Sequence, residues 1–436
     1  MWPHACAERP SRSGLGRVAV TPSHVVLQRR LRAYAHSARQ KSHSTIAVVL
    51  RSLRVNRRGV SMASEIAFPA DFHAARAQFS AGLDSFEALT GRAFTRTRFV
   101  MDEAEDLSID IAEFVPTNPR RVYIAVAGVH GIEGYAGNAI ERALLADVLP
   151  RLDPETTGVV LVHALNPVGM HRLRRVNANN VDLNRNFAAA GSPLYSTDSQ
   201  DFARLRALLE PQGRYAGGIA GNLRFLGMLG MAVVRSGMAA LRQVTLAGQY
   251  VAPMAIFYGG NEPERETLCM QRLFESLCGR YQEVLLTDLH TGYGTRAQAS
   301  LLFGALDSSE LHGIASEGLR DAFGRDQGYT AHGDLVGYCH ATAKRMRPDG
   351  VFNGVVLELG THGLGTIEQV DDLHTVVREN QVQHFGARDA YAETIVRRNF
   401  RELFYPGDPL WQRQSLTAAL QRIEQLLTAR GFLTPG

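Results

Sequence analysis

Four side chains that could do chemistry stand at or just after the ends of short apolar segments. His130 and Glu133 lie three residues apart in GVHGIEG, directly after VYIAVA, while His290 ends VLLTDLH and Glu358 ends VVLE. Catalytic Zn²⁺ is held by imidazole nitrogens and carboxylate oxygens, typically from three residues, with one position open for water. We therefore take His130, Glu133 and His290 as candidate zinc ligands. Glu358 is left as the candidate for proton transfer.

Each of these assignments has a simpler alternative. The spacing of His130 and Glu133 is weak evidence alone, because HxxE arises often by chance, but glycines on both sides allow the tight turns that would bring the two side chains together. A histidine near a strand end is usually structural, which is our interpretation of His163 and His171. Glu358 could form a salt bridge to an arginine. A glutamate in an apolar strand is rare unless paired or functional, however, so we favour the catalytic role.

The most polar segment of the chain is Arg174–Phe187, RRVNANNVDLNRNF. The planar guanidinium of arginine suits two-pronged binding of a carboxylate, and one arginine can also stabilise a developing oxyanion. A solvated, turn-rich loop would have a similar composition, since asparagine favours turns. The segment is thus a candidate for substrate binding.

The elements that would position these residues alternate between strand and helix. Four segments each begin with a short apolar run rich in Val, Ile and Leu, which predicts a buried strand of a parallel sheet, and end in a polar turn or loop. They are Val122–Glu133, Val159–Arg185, Val284–His290 and Val355–Glu358. Residues 72–90 and 137–149 have the apolar spacing of amphipathic helices. Strand, loop, helix and strand over residues 122–163 form a βαβ unit, for which we expect a right-handed crossover. Ligands bind at the carboxyl ends of the strands in such sheets.

The other sequence signals mostly exclude functions. Residues 216–237 are apolar and rich in glycine but match neither GxGxxG nor a P-loop, so we interpret them as a small-residue helix or a loop that covers the core. No GxSxG is present, which disfavours a serine hydrolase. We see no repeat within residues 62–436. We therefore expect this part to be one domain, with an insertion around residues 188–260.

The positive charge of the chain is concentrated at its start. The net charge is +4 over 436 residues, but residues 1–61 carry twelve Lys and Arg against one acid, so the remainder has a charge of −7. An acidic main body argues against a nucleic-acid partner. We expect residues 1–61 to be disordered, or to lie upstream of a natural start at Met62. No apolar run approaches the roughly 20 residues that span a bilayer, and the four cysteines form no CxxC, so we expect a cytoplasmic protein without a membrane partner.

Taken together, the motifs resemble the M14 zinc carboxypeptidase superfamily, which includes the succinylglutamate desuccinylase and aspartoacylase branch. The resemblance lies in GVHGIEG, VDLNRNF, DLHTG and a late strand that ends in Glu, in that order. Within the superfamily, the segments NPVGMHRLRRVNANNVDLNRNF, GQYVAPMAIFYGG and TDLHTGYGT resemble the DUF2817 group. The resemblance implies a three-layer α/β/α fold with a mixed, mostly parallel, twisted sheet and an active site at the carboxyl ends of its strands.

The resemblance also implies roles for individual residues. His130, Glu133 and His290 would bind one Zn²⁺ per chain, and Glu358 would be the general acid and base. Arg175, with Arg174 as the less favoured choice, would polarise the scissile carbonyl. The remaining residues would assist: Asp182 by a hydrogen bond to the first zinc histidine, Asn184 and Arg185 by gripping the free carboxylate of the substrate, and Tyr338, with Tyr258 and Tyr293 as rivals, as the substrate-binding tyrosine.

The function implied is zinc-dependent hydrolysis of an amide bond next to a free carboxylate, on a small peptide or an acyl-amino acid. The motifs do not separate a carboxypeptidase from an N-acyl-amino-acid deacylase of the aspartoacylase or desuccinylase type. The insertion at residues 188–260 could narrow the cleft and favour small substrates. A His₂Glu site could also take other divalent metals. A non-catalytic binding protein on the same scaffold is a remote alternative, because such a protein would usually have lost a ligand or the catalytic glutamate.

Overall fold

The structure, a computed structural model, describes residues 66–197, 200–302 and 332–434. All of these fall in one compact unit, Met62–Gly436. The expectations for residues 1–61 lie outside the described residues. That residues 62–436 form a single domain with an insertion at 188–260 stays a prediction.

The described residues form seven strands in one sheet, accompanied by ten α-helices. The strands are β1 Thr95–Asp102, β2 Leu107–Phe114, β3 Arg121–Ala127, β4 Thr157–His163, β5 Glu283–Gly292, β6 Ala299–Leu302 and β7 Val351–Gly360. The helices are α1 Phe72–Thr90, α2 Gly134–Ala143, α3 Pro167–His171, α4 Gln200–Leu209, α5 Gly218–Ala247, α6 Arg265–Arg280, α7 Leu335–Met346, α8 Thr366–Phe385, α9 Ala390–Phe404 and α10 Pro409–Ala429. Short 3₁₀ turns include Gly131–Glu133 and Leu183–Arg185.

The sheet is mixed and mostly parallel, with the strand order β1-β2-β4-β3-β5-β7-β6. The four central strands, β4, β3, β5 and β7, are mutually parallel. These are the four strands predicted from the apolar segments. The outer strands β1, β2 and β6 run antiparallel to their neighbours.

Helices cover both faces of the sheet, which confirms the three-layer α/β/α arrangement. On one face, α1, α2 and α10 pack on the strands with side chains such as Phe86 and Trp411. On the other face, α6 and α7 contribute side chains such as Phe274 and Cys339. Because both faces are buried, the central strands are apolar along most of their length. The central strands therefore lie buried between the two helical layers.

The predicted helices agree with the structure except at their ends. Residues 72–90 form α1 with the predicted bounds, and the Asp71 side chain caps it by accepting a hydrogen bond from the Ala74 amide. The helix predicted at 137–149 begins earlier, at Gly134, and continues past Ala143 as a π-helical turn and a 3₁₀ turn. Residues 216–237 are largely helical, as part of α5, which contains a kink at Gly237 where φ is 80°. None of the helices in the described ranges is both long and apolar enough to cross a membrane.

Candidate metal centre

The three predicted ligands come together at the carboxyl ends of two adjacent parallel strands. His130 and Glu133 lie in the turn that follows β3, and His290 lies near the end of β5. β3 and β5 pair in parallel over Arg121–Ala127, so both strand ends reach the same edge of the sheet. Glu358 on β7 is the direct cross-strand neighbour of His290. The sheet register thus brings the metal ligands and the candidate acid/base to one place.

The turn that carries His130 and Glu133 is fixed by the polar segment. The amide of Gly131 donates to the carbonyl of Arg175, and the amide of Ile132 donates to that of Arg174. A Cβ atom at Gly131 would lie 2.2 Å from the carbonyl carbon of Gly169, so a larger residue does not fit. The predicted need for glycine in this turn therefore has a specific cause, which is the close approach of two backbones.

The ligand atoms of His130, Glu133 and His290 lie within 4.8 Å of one another, and the three side chains are buried. The Nδ1 atom of His130 is 3.0 Å from Glu133 Oε1 and 3.0 Å from His290 Nδ1. His290 Nδ1 is 2.9 Å from Glu133 Oε2. Two ring nitrogens and one carboxylate therefore face a common point, as a mononuclear site requires.

Two buried aspartates set the tautomer of both histidines. Asp182 lies 3.0 Å from His130 Nε2, and Asp288 lies 2.8 Å from His290 Nε2. A carboxylate partner keeps the proton on Nε2, so that the Nδ1 lone pair is free to bind a metal. If no cation were present, the lone pairs of the two Nδ1 atoms would repel each other and the negatively charged Glu133, since all three groups lie at about hydrogen-bond distance. The side chains present therefore fit a divalent metal with nitrogen and oxygen ligands.

The pKa values of Glu133 and His290 are set by the charges of their neighbours. Burial alone would raise the pKa of Glu133, but the neighbouring His130 and His290 outweigh it and hold that pKa below its ordinary value. Burial would lower the pKa of His290, yet Asp288 and Glu133 raise it well above the ordinary value. In the metal-free protein, a proton on His290 thus supplies the positive charge that a bound metal would otherwise bring to the site.

Glu358 lies beside the three ligands in a different environment. Burial raises its pKa to about 8, an effect to which Glu133 adds and which His290 opposes. Its Oε1 accepts a hydrogen bond of 2.9 Å from the amide of Tyr293. A carboxyl group with a raised pKa next to a metal site can exchange protons near neutral pH.

Arg175 is the arginine that the structure brings to the triad. Its Nε donates to Asp182 Oδ2 at 3.2 Å, and its Nη1 lies 3.4 Å from Glu133 Oε1. Arg174 points elsewhere, because it binds Glu379 on α8 and the side chain of Asn180. Burial would raise the pKa of Asp182, but Arg175 and then His130 outweigh it and keep that pKa well below its ordinary value. Asp182 thus contacts both a candidate metal ligand and Arg175.

Asn184 and Arg185 lie near this cluster, in the 3₁₀ turn that follows Asp182, and both are buried. The side-chain oxygen of Asn184 accepts a hydrogen bond from the Leu335 amide, and Arg185 Nη1 donates to the Asn184 carbonyl. Arg185 also lowers the pKa of Asp182 through its charge. Their predicted roles in substrate binding remain predictions.

The three candidate tyrosines have different settings. The hydroxyl of Tyr338 lies 3.4 Å from the side chain of Glu275 on α6, and its ring packs beside Phe187, so these contacts do not bring it to the triad. Tyr258 is buried, and its carbonyl accepts from the Asp182 amide. Tyr293 is exposed and adjoins Glu358 through its backbone amide. The contacts thus favour Tyr293 over Tyr338 as the tyrosine near the site.

Asp288 is not among the residues predicted from the sequence, although the motif TDLH contains a signal for it. Residues two apart on a strand project to the same face. Asp288 and His290 are both in β5, and Asp288 is fully buried. A carboxylate two residues before a candidate ligand on a strand is therefore a predictable partner for its second ring nitrogen.

Comparison with known proteins gives one family match. The sequence model of a family described as "Protein of unknown function (DUF2817)" matches residues 68–418, well over half of the chain. None of the curated proteins compared with the chain matches it.

Several solved structures are similar to this one at low sequence identity. Bovine thrombin-activatable fibrinolysis inhibitor, in complex with tick carboxypeptidase inhibitor, is 10% identical, with 84% of this chain and 97% of that chain covered and a TM-score of 0.44. Carboxypeptidase A from Helicoverpa armigera is 12% identical, with 83% and 81% covered and a TM-score of 0.37. A succinylglutamate desuccinylase/aspartoacylase from Rhodobacter sphaeroides is 14% identical, with 70% and 67% covered and a TM-score of 0.31. At this level of similarity, they decide nothing about the chemistry of this chain.

Proposed function

We propose that this chain, which belongs to the DUF2817 family, is a zinc-dependent hydrolase that cleaves an amide bond next to a free carboxylate. One observation carries the proposal. The buried triad of His130, Glu133 and His290 lies beside Glu358, a carboxyl group that neither caps a helix nor pairs with an arginine among the described contacts. A purely structural metal site would have a closed set of four ligands and would not need a fourth ionisable group of raised pKa beside it.

The triad would hold the metal through the two Nδ1 atoms and the carboxylate of Glu133. Bound Zn²⁺ supplies Lewis acidity, and it lowers the pKa of a water molecule bound to it towards the neutral range. Asp182 and Asp288 keep the two imidazoles in the tautomer that exposes Nδ1. Their charge also raises the basicity of the two ligands.

Glu358 would move the protons of the reaction. As a carboxylate, it would take a proton from the attacking water, and as the acid it would give that proton to the departing amine. Burial raises the pKa of Glu358 in the metal-free protein, and the positive charge of a bound metal would lower that pKa again. The two opposing effects would leave Glu358 able to exchange protons near the working pH. Arg175 would donate to the oxygen of the scissile carbonyl as negative charge develops there.

The free carboxylate of the substrate would be bound by Arg185 with Asn184. Arg185 is buried at the end of the 3₁₀ turn Leu183–Arg185, so its charge acts in a low-dielectric setting. This interaction would be the same for a peptide C-terminus and for an acyl-amino acid. The two substrate types differ only in what the pocket admits on the acyl side of the scissile bond.

The experiment is a substrate panel with metal content measured on every protein. The panel holds N-acetyl-amino acids and N-blocked dipeptides with a free C-terminus, each paired with its C-terminal amide, and the readout is released amine. We expect turnover of the free acids and loss of turnover for the amides. Equal rates on acids and amides would show that recognition of the carboxylate is wrong.

A pair of variants tests the role of Glu358. Glu358→Gln keeps the size of the side chain and should lower kcat by about 10²–10⁴-fold while metal content is unchanged. Glu141→Gln is the matched control, because Glu141 is also fully buried, and burial raises its pKa well above the ordinary value, but it lies on α2 beside His163. Full activity of Glu358→Gln would rule out the acid/base role.

A further inference from the structure

Helix α5 presents a stripe of large apolar side chains to solvent. The stripe consists of Ile219, Leu223, Leu226, Met231 and Val234, each between 52% and 86% exposed. Their spacing follows the turns of the helix, so they lie on one side of it. The opposite side packs with α8 through residues such as Phe225 and Leu229. An exposed apolar surface of this extent usually marks a binding surface.

The charges of α5 all have one sign. Its thirty residues contain three arginines, at positions 224, 235 and 242, and no aspartate or glutamate. Arg224 and Arg235 are exposed and follow Leu223 and Val234 directly in sequence. Basic residues along the border of an apolar stripe are typical of helices that lie in a membrane interface.

A cationic cleft adjoins the stripe, between α5 and α8. Its lining includes Tyr215, Arg224, Phe225, His374, Arg378 and Gln381, and among the described residues no carboxylate lines it. Arg378 is 93% buried, and its Nε has no hydrogen-bond partner among the described residues, although its Nη2 donates to Thr375. Burial lowers the pKa of His374 to about 4, so the two arginines carry the charge of the cleft. The cleft therefore suits an anionic group such as a phosphate.

We propose that α5 docks this protein on an anionic lipid surface, with the apolar stripe in the interface and a lipid phosphate at Arg224 and Arg378. The two features point to the same partner, because a lipid offers an apolar boundary and an anionic headgroup side by side. The proposal goes beyond the hydrolase function and does not depend on it. It replaces our expectation from the sequence that no membrane takes part.

A second copy of the chain is the main competing occupant. Four of the five stripe residues pair symmetrically about the midpoint of Gly227 and Gly230, Leu223 with Val234 and Leu226 with Met231. An antiparallel two-fold pair would therefore place Leu223 against Val234 of the other copy. In the same pair, Arg224 and Arg235 of the other copy would lie on the same side of the interface and would be offset by only about 3 Å along the helix axis. Since α5 contains no acid to neutralise them, these like charges disfavour the pair and favour an anionic surface.

Acidic residues are present near one end of the surface. Glu368 and Asp371 lie in the first turns of α8 and are exposed. The charge of Asp371 acts to raise the pKa of His374, against burial and Arg378, which places Asp371 near the cleft. We therefore expect the docking to rely on the stripe as well as on charge, and the test separates the two contributions.

The test is co-sedimentation of the full chain with vesicles of phosphatidylcholine, with and without phosphatidylserine. Residues 1–61 carry a charge of +11 and would attract anionic vesicles by themselves, so each variant is compared with the wild type. Leu226→Gln with Val234→Gln removes apolar contact at constant charge, and should weaken partitioning by about tenfold or more. Leu89→Gln on α1 is the matched control, since Leu89 is 51% exposed and Leu226 is 53% exposed.

Charge variants complete the test. Arg224→Gln with Arg235→Gln should weaken binding to phosphatidylserine vesicles by about fivefold per arginine, while Arg398→Gln, an exposed residue of α9, should have a smaller effect. The proposal is overturned if the stripe variant partitions like the wild type or if Leu89→Gln loses as much binding. It is also overturned if the wild type is a dimer by light scattering that the stripe variant dissociates. The far-UV circular dichroism spectrum and the Tm, unchanged in every variant, show that the fold is intact.

Discussion

Asp288→Asn should weaken metal binding although Asp288 is not itself a candidate ligand. Its Oδ2 lies 2.8 Å from His290 Nε2, and the side chain is fully buried, so the interaction is not screened by solvent. An amide in its place can still accept the Nε2 proton but carries no charge. If the amide nitrogen turns towards the ring instead, it would favour the tautomer whose proton blocks Nδ1.

The expected loss of metal affinity is about 10–100-fold, the usual range for such outer partners. This corresponds to roughly 1.4–2.7 kcal/mol. Competition with a chromophoric zinc chelator measures the affinity directly. Asp110→Asn is the control, because Asp110 is a partly buried carboxylate on β2 with no contact to the triad. Zinc affinity of Asp288→Asn equal to that of the wild type would refute the idea that Asp288 fixes the tautomer of His290.

Three further predictions concern stability. In the metal-free protein, burial raises the pKa of Glu358 from 4.5 to about 8, so the stability that its protonated form contributes is present below pH 4.5 and is lost as the pH rises to about 8. The Tm of the wild type should therefore fall relative to that of Glu358→Gln over this pH range. Parallel curves of Tm against pH would contradict the shift. Gly131→Ala should destabilise the fold by about 1–3 kcal/mol in urea unfolding, because its Cβ would lie 2.2 Å from a backbone atom. Gly227→Ala is the control and should be neutral or stabilising, because no atom lies within 4 Å of the added Cβ. Equal effects of the two substitutions would argue against the close approach at Gly131. Arg174→Gln should cost about 3–5 kcal/mol of unfolding free energy, because it leaves the buried carboxylate of Glu379 without its partner at 3.1 Å, and a loss below 1 kcal/mol would show that the pair is not needed.

The sequence predicted the centre of the fold because its signals there are local. Each parallel strand is a short apolar run bounded by turn residues, and GVHGIEG and TDLHTG follow or end such runs. Once the strands are parallel neighbours, their carboxyl ends must meet, so His130 and His290 converge without further information. For the same reason, the position of Glu358 opposite His290 follows from two strands that end at the same edge.

Other features depend on contacts that a local pattern does not reveal. β1, with the sequence TRTRFVMD, has no alternation of apolar and polar residues because most of it is exposed on both faces at the edge of the sheet. β6 is only four residues long. Tyr338 lies on a helix, and which side of that helix faces the site depends on how α7 packs against α6 and β7. The apolar composition of residues 216–237 predicts a helix or loop that covers the core, but only the structure shows which side of α5 is buried and which side is exposed.

The central claim is that His130, Glu133 and His290 bind a catalytic metal, and elemental analysis tests it most directly. The full chain and His290→Ala are purified without added chelator, exposed to zinc, passed through a desalting column and measured together with protein concentration. We predict about one zinc per chain in the wild type and none in the folded variant. A folded wild type that neither contains a divalent metal nor retains added zinc would contradict the account.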